Sequence, residues 1–161
     1  MEKLVPDDFD IPKVPKNNEF LLRALSASDV ELDYEAVMSS KIHLRQVFAE
    51  SDDWPAEGMT IADNLADLQR HEREFMNRVA FAYTVMNCSE DRCLGCIYIK
   101  PTIKRSFDAA VYMWIRSDEI PNGLDEELYQ FVVSWINEKW PFKNVAYPGR
   151  EIDWNEWDML P

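Results

Sequence analysis

Leu94-Gly95-Cys96-Ile97-Tyr98-Ile99 and, one loop later, Ala109-Ala110-Val111-Tyr112-Met113-Trp114-Ile115-Arg116 are the stretches that decide the fold. The second run is apolar at both sets of alternate positions, so it belongs at a sheet centre with helices on both faces. Upstream, Ala80-Phe81-Ala82-Tyr83-Thr84-Val85-Met86 is joined to the first run by the polar turn Asn87-Cys88-Ser89-Glu90-Asp91-Arg92, the outline of an antiparallel hairpin. Downstream, after a polar turn over residues 117–123, Leu124, Leu128, Phe131, Val132 and Trp135 mark one face of a helix, with Asn122 as its cap and Asp125 at N3. Pro141 stops that helix, and Lys143-Asn144-Val145-Ala146-Tyr147 reads as a last strand, parallel to the central one through a right-handed crossover. A strand feeding a helix N-terminus in this way is a common anion site in α/β proteins.

Working toward the N-terminus, Thr60 opens a helix with Asp63 three places on, and Ile61, Leu65, Leu68, Phe75, Met76 and Val79 form its apolar stripe. Glu72 falls within that stripe and His71 on its shoulder. A carboxylate there is costly unless it is paired, hydrogen-bonded or protonated. Two readings follow: an ion pair of Glu72 with Lys41 or a nearby arginine, or a general base with a raised pKa lining a cleft, with His71 as a second candidate. An earlier helix starts near Asp29, capped by Ser28 with Glu31 at N3. It carries Val30, Tyr34, Val37, Met38, Leu44 and Phe48 inward and ends before Ser51-Asp52-Asp53-Trp54-Pro55. Phe20-Leu21-Leu22-Arg23-Ala24-Leu25 is a short strand ahead of it. Residues 1–18, with Pro6, Pro12 and Pro15 among charges, suit an extended arm, leaving 19–161 as one domain.

The chain has 161 residues, 47% of them apolar and 12% aromatic, enough for one packed core. A net charge of −13 disfavours nucleic acid and anionic membrane as partners, because both select basic surfaces, and favours a cation such as an amine. There is no long apolar run, and the start lacks a secretory pattern, so a soluble, cytoplasmic protein is expected. Cys88, Cys93 and Cys96 raise the question of a metal. On a regular strand, residues three apart point to opposite faces, so Cys93 and Cys96 are not expected to converge on one ion. No metal site is expected. Cys88 and Cys93 flank the hairpin turn, and the odd count in an intracellular setting favours free thiols.

Strand, two helices, hairpin, central strand ending in arginine, helix and parallel strand resembles the core of the GCN5-related N-acetyltransferases, the GNAT family. The resemblance spans roughly residues 20–147. It implies an α/β fold of mixed (α+β) type, the acyl-CoA N-acyltransferase fold, with a central mixed sheet flanked by helices. In that family the fourth strand offers backbone amides to acetyl-CoA, which here implies Met113, Trp114 and Ile115. The following loop cradles the pyrophosphate, and Arg116 matches its first position. The family's glycine positions fall on Glu119 and Pro121, where an acid repels phosphate and a proline has no N–H. Asn122, Gly123 and Leu124 are left to supply amides from the helix start, although ordinary helix capping explains the same residues.

The resemblance further implies a tyrosine that protonates the leaving thiolate. The tail after Pro148-Gly149 is too short for the usual helix and two strands, and Tyr147, which does not match the family's position, is the substitute acid, set against its reading as a plain strand residue. Trp154 and Trp157 then cover an open apolar edge, a job a homodimer would also do. The expected activity is an acetyl-CoA-dependent N-acetyltransferase acting by direct transfer on a small-molecule amine or other cationic acceptor. The alternative is a non-catalytic interaction module of the same fold that has lost efficient CoA binding. The enzyme reading needs usable amides at residues 122–124 and an open gap beside residues 113–115.

Overall fold

The computed structural model describes residues 2–49 and 53–161. Its strands are β1 (Leu21–Ala24), β2 (Phe81–Met86), β3 (Cys93–Lys100), β4 (Ala109–Ile115) and β5 (Val145–Ala146), and its helices α1 (Val30–Met38), α2 (Lys41–Val47), α3 (Ile61–Met76), α4 (Leu124–Lys139) and α5 (Trp154–Met159). The strands lie in sequence order in one sheet, antiparallel until the last pair, where β5 runs parallel to β4. That last pair is held at Ala109↔Val145 and Ala110↔Ala146 alone, so the two strands separate beyond Ala110 and leave an opening beside the rest of β4.

The sheet is covered on both faces, as the doubly apolar β4 requires. On one face Phe81, Tyr83, Ile97, Val111, Met113 and Ile115 meet Leu128, Val132 and Trp135 of α4. On the other, Ala82, Met86, Cys96 and Trp114 meet Ala36, Val37, Leu44 and Leu68 of α1, α2 and α3. Residues 2–18 hold no helix or strand, yet they are tied down. Val5 is buried in the α4-side core, Leu4 N–H donates to Arg78 O (2.8 Å), and Trp135 Nε1–H donates to Lys13 O (3.2 Å). Among the described residues no helix is long and apolar enough to cross a membrane.

The helical boundaries depart from expectation in three places. The first helix is two, broken at Ser39 and Ser40. Ser39 Oγ turns back to Ala36 O (3.1 Å) and Ser40 N–H takes Val37 O, local bonds that compete with helix continuation. Its start is capped not by Ser28 but by Ser26, in a capping box with Asp29 on the 3-10 turn Ala27–Asp29. The expected end at Ser51 and Asp52 lies outside the described residues. α3 begins at Thr60 with the expected box to Asp63, but its buried residues are Asn64, Leu68 and His71, while Ile61 and Met76 are exposed. The inward stripe is rotated about one residue from the expected one, which moves His71 inward. The start of α4 is not capped by Asn122. A 3-10 turn, Ser117–Asn122, runs into Gly123, whose φ of 77° is the left-handed region open to glycine, and Asn122 Nδ2 donates instead to Glu119 (2.8 Å).

Candidate functional site

Two cavities meet at β4. The smaller, about 200 Å³, lies in the β4/β5 opening against Met113, Asp125, residues 148–150 and His43. The larger, about 540 Å³, lies among α1, α3, β3, β4 and α5. They share Phe48, Tyr112 and Trp154 as a common wall, with Trp154 stacked on Tyr112 at 6.1 Å and 12°. Trp154 Nε1–H donates to Val47 O (3.1 Å), fixing the partition to the end of α2.

Bonding alternates along β4. Arg116 N–H reaches Leu94 O next to β3 (2.8 Å), whereas Met113 O receives Arg150 Nη2–H from the opposite side (3.3 Å). Met113 and Ile115 therefore turn their main-chain groups to the opening, and Tyr112 and Trp114 turn theirs to β3. Arg150 is the cation of the opening, held by Asp125 (2.8 and 3.0 Å) and lying over the Tyr129 ring at 5.2 Å. His43 lines the same cavity, and its Nε2 is buried with no hydrogen-bond partner among the described residues.

The loop after β4 is rich in carboxylates. Arg116 is buried and forks onto Glu35 (2.7 and 2.8 Å), with further bonds to Asp118 (2.8 Å) and Cys93 O (3.0 Å). Arg92 bonds Glu119 and Asp118. Bonds from Asn122 and Arg92 hold Glu119 below the usual carboxylate range. Asp125, Glu126 and Glu127 fill the first turn of α4, which has no side-chain cap. Acids suit a helix start, but they also occupy the place where an incoming anion would be attracted.

His71 lies in the larger cavity, stacked on Tyr98 (5.3 Å, 28°). Burial, helped by the charges of Arg70 and Lys100, drives its pKa from 6.5 down to about 3, so the imidazole is neutral at physiological pH. Glu72 lines neither cavity. Its Oε1 accepts Ala27 N–H (2.8 Å), which fixes the turn ahead of α1, and its partner is neither Lys41 nor an arginine. Lys41 pairs with Glu57. Tyr147 precedes Pro148, which lines the opening, but is itself buried and lines neither cavity; it lies edge-on to Tyr129, and burial raises its pKa, keeping the phenol protonated.

Two features escaped the sequence reading. The first is Asp33, buried on α1 at the larger cavity, where it accepts Asn64 Nδ2–H (2.8 Å) and the Cys96 thiol (3.4 Å). Burial pushes its pKa up. The spacing Val30, Asp33, Val37 places it on the inward face of α1, a signal equal to that of Glu72 on α3. The second is the meeting of Cys93 and Cys96, expected on opposite faces. Val85 pairs with Gly95 but Met86 with Cys93, so β3 carries an extra residue, Leu94. That bulge turns both thiols to the α1 side, where their sulfurs and an Asp33 oxygen lie within 4.8 Å of one another. All three cysteines are free, and Cys88 is exposed with its thiol on Asn18 O.

No protein-family model and no curated protein matches this chain. Solved structures do. RimL, the ribosomal L7/L12 alpha-N-protein acetyltransferase, is 17% identical with a TM-score of 0.61, over 80% of this chain and 70% of that one. The microcin C7 self-immunity acetyltransferase MccE, solved with acetyl-CoA and AMP, is 15% identical with a TM-score of 0.65, over 81% and 69%. A putative GnaT-family acetyltransferase from Bordetella pertussis is 13% identical with a TM-score of 0.62, over 84% and 78%. Five strands in sequence order, a parallel last pair that splits, and these likenesses together identify the architecture: the chain has the GNAT acetyltransferase fold.

Proposed function

We propose that the protein is an acetyl-CoA-dependent N-acetyltransferase that acts on a small-molecule amine. The observation that carries this is the pair of cavities on either side of one wall, the smaller at the split of β4 from β5 and the larger beyond Tyr112 and Trp154. That arrangement seats a thioester and an amine on opposite sides of one wall, so transfer requires Trp154 to leave Tyr112. The neighbours RimL and MccE are acetyltransferases by name, and MccE was solved with acetyl-CoA.

The main-chain N–H groups of Met113 and Ile115 hold the donor's arm and acyl oxygen, and the Leu124 amide meets its phosphates, the Gly123 amide being engaged by Ile120 O (3.1 Å). Trp114 supports the strand through its bonds to β3. Arg116 and Asn122, engaged by Glu35, Asp118 and Glu119, fix the loop around it. In direct transfer the amine nitrogen attacks the thioester carbonyl, the C–N bond forms and the C–S bond breaks. The amine's proton leaves to solvent through the larger cavity, because burial makes His71 a poor proton acceptor, and the departing thiolate takes a proton from Tyr147. Glu72 acts on this chemistry indirectly, through the turn it fixes ahead of α1.

A second reading, an interaction module that no longer binds the cofactor, draws on Arg150 bonded to Met113 O and on the carboxylates around the start of α4. Thermal unfolding with and without acetyl-CoA, with adenosine diphosphate as control, separates the two. Ligand at 100 times its dissociation constant adds about 2.7 kcal/mol, roughly 5 to 10 °C for a domain this size. A rise of that order with acetyl-CoA, followed by amine-dependent release of free thiol, supports the enzyme. No shift at millimolar acetyl-CoA leaves the module.

A further inference from the structure

We propose that the larger cavity is a binding site for a small primary amine that carries a flat aromatic group, its ammonium on Asp33 and its ring among Trp54, Tyr98, Tyr112 and Trp154. The proposal rests on the acetyltransferase reading only in making this amine the acceptor. The binding itself stands on the cavity alone.

Asp33 supplies the first argument. It is 4% exposed yet lines the cavity, and its only hydrogen-bond partners among the described residues are an amide and a thiol. No described cation lies within ion-pair distance of it. Lys41, the base nearest in sequence, is engaged by Glu57, and Arg23 by Asp29 and Glu90. Burying a carboxylate without a counter-charge is costly, and a ligand cation offsets that cost where the protein supplies none. Asp67 and Asp158 line the same cavity and are matched there by Arg70 and Lys100, so Asp33 leaves its described lining with one negative charge in excess.

The walls supply the second argument. Tyr98 and Tyr112 are register partners across β3 and β4, and the Lys100 ammonium sits 5.5 and 5.7 Å from their ring centres, so these faces already attract a cation. Trp154 lies parallel to Tyr112, and Trp54 packs edge-on to Phe48 at 5.6 Å. Flat apolar walls beside one buried acid select a flat apolar group with one positive end. A volume of about 540 Å³ is in the range that encloses a small molecule.

The test titrates the full-length protein, without acyl donor, by tryptophan fluorescence and calorimetry. The probes are 2-phenylethylamine, 2-phenylethanol, n-butylamine and a short peptide with a free N-terminal serine. The expected result is that 2-phenylethylamine binds at least about tenfold more tightly than the uncharged alcohol, the ringless amine and the peptide. Asp33→Asn should bring 2-phenylethylamine to the level of the alcohol while leaving alcohol binding unchanged, which also shows that the variant is folded. Should that variant not fold, the four-probe comparison on the unaltered protein decides alone. Equal binding of amine and alcohol, tighter binding of the peptide, or no binding of any probe overturns the proposal. Thiol release from acetyl-CoA is measured separately. Aryl-amine binding without release keeps the present inference and removes the acetyltransferase reading, and release to the peptide without aryl-amine binding does the reverse.

Discussion

Lowering the pH should destabilise this protein through His71 by an amount the structure sets. The imidazole is about nine-tenths buried, stacked on Tyr98, with Glu74 Oε2 3.9 Å from its Nδ1, and its pKa falls from 6.5 to about 3 because burial disfavours the charged ring. The folded pKa is depressed, so below pH 6.5 the unfolded chain binds a proton that the folded one refuses. Stability is therefore complete above 6.5 and falls as pH drops toward 3. At pH 5.0 the loss is about 2 kcal/mol, against almost none at pH 7.5, taking about 1.36 kcal/mol per decade of proton concentration. His71→Phe keeps a flat ring against Tyr98 and removes the titration. Urea unfolding of both proteins at pH 7.5 and 5.0 should show the parent losing about 2 kcal/mol more than the variant, roughly 4 to 8 °C in melting temperature. If the parent-minus-variant difference moves by less than about 0.5 kcal/mol, or the His71 ring titrates near 6.5 by NMR, the burial argument fails.

Three other outcomes are expected. Glu72→Gln keeps an oxygen for Ala27 N–H and should unfold within about 0.5 kcal/mol of the parent, whereas Glu72→Ala should cost about 1 kcal/mol in the same urea assay. A larger loss for the glutamine would mean that the charge itself is needed. Gly149→Ala should destabilise by about 1–3 kcal/mol, since φ is 81° there and an added Cβ would meet the Trp154 indole at 2.7 Å; indole emission should shift as Trp154 is displaced. An aromatic thiol reagent should modify one cysteine per native chain, exposed Cys88, and all three after unfolding, because Cys93 and Cys96 are buried. Rapid native modification of either of these would contradict the packing of the α1 face.

The sheet was legible because its signals are redundant. Residues 109–115 are apolar on both faces, and β4 spans the same seven positions; Thr60 with Asp63 marks the start of α3 through two reciprocal bonds. The site was less legible, because it turns on differences of one residue. A rotation of α3 by one position is within the noise of an apolar stripe in which Leu65 and Leu68 both qualify, yet it exchanges Glu72 for His71 at the cavity. The bulge at Leu94 is set by pairing with β2, which no local pattern announces, and without it Cys93 and Cys96 read as facing apart. Asp33 carried a periodic signal but was overshadowed by the larger apolar residues around it. Arg150 could not be placed from sequence, since its partners Asp125 and Met113 lie far away in the chain.

The carboxylates gathered at the start of α4 bear on kinetics as well as on contacts. An anion approaching Asp118, Glu119 and the first turn of α4 meets a repulsive field whose reach contracts from about 30 Å at 0.01 M salt to about 8 Å at 0.15 M. Its rate of arrival therefore climbs with ionic strength, the reverse of what a basic cleft would give. A cation bound for the larger cavity, drawn by the overall charge of −13, arrives more slowly as salt is added. A reaction that needs both partners then runs fastest at an intermediate salt concentration, set by where the two opposed encounter rates cross.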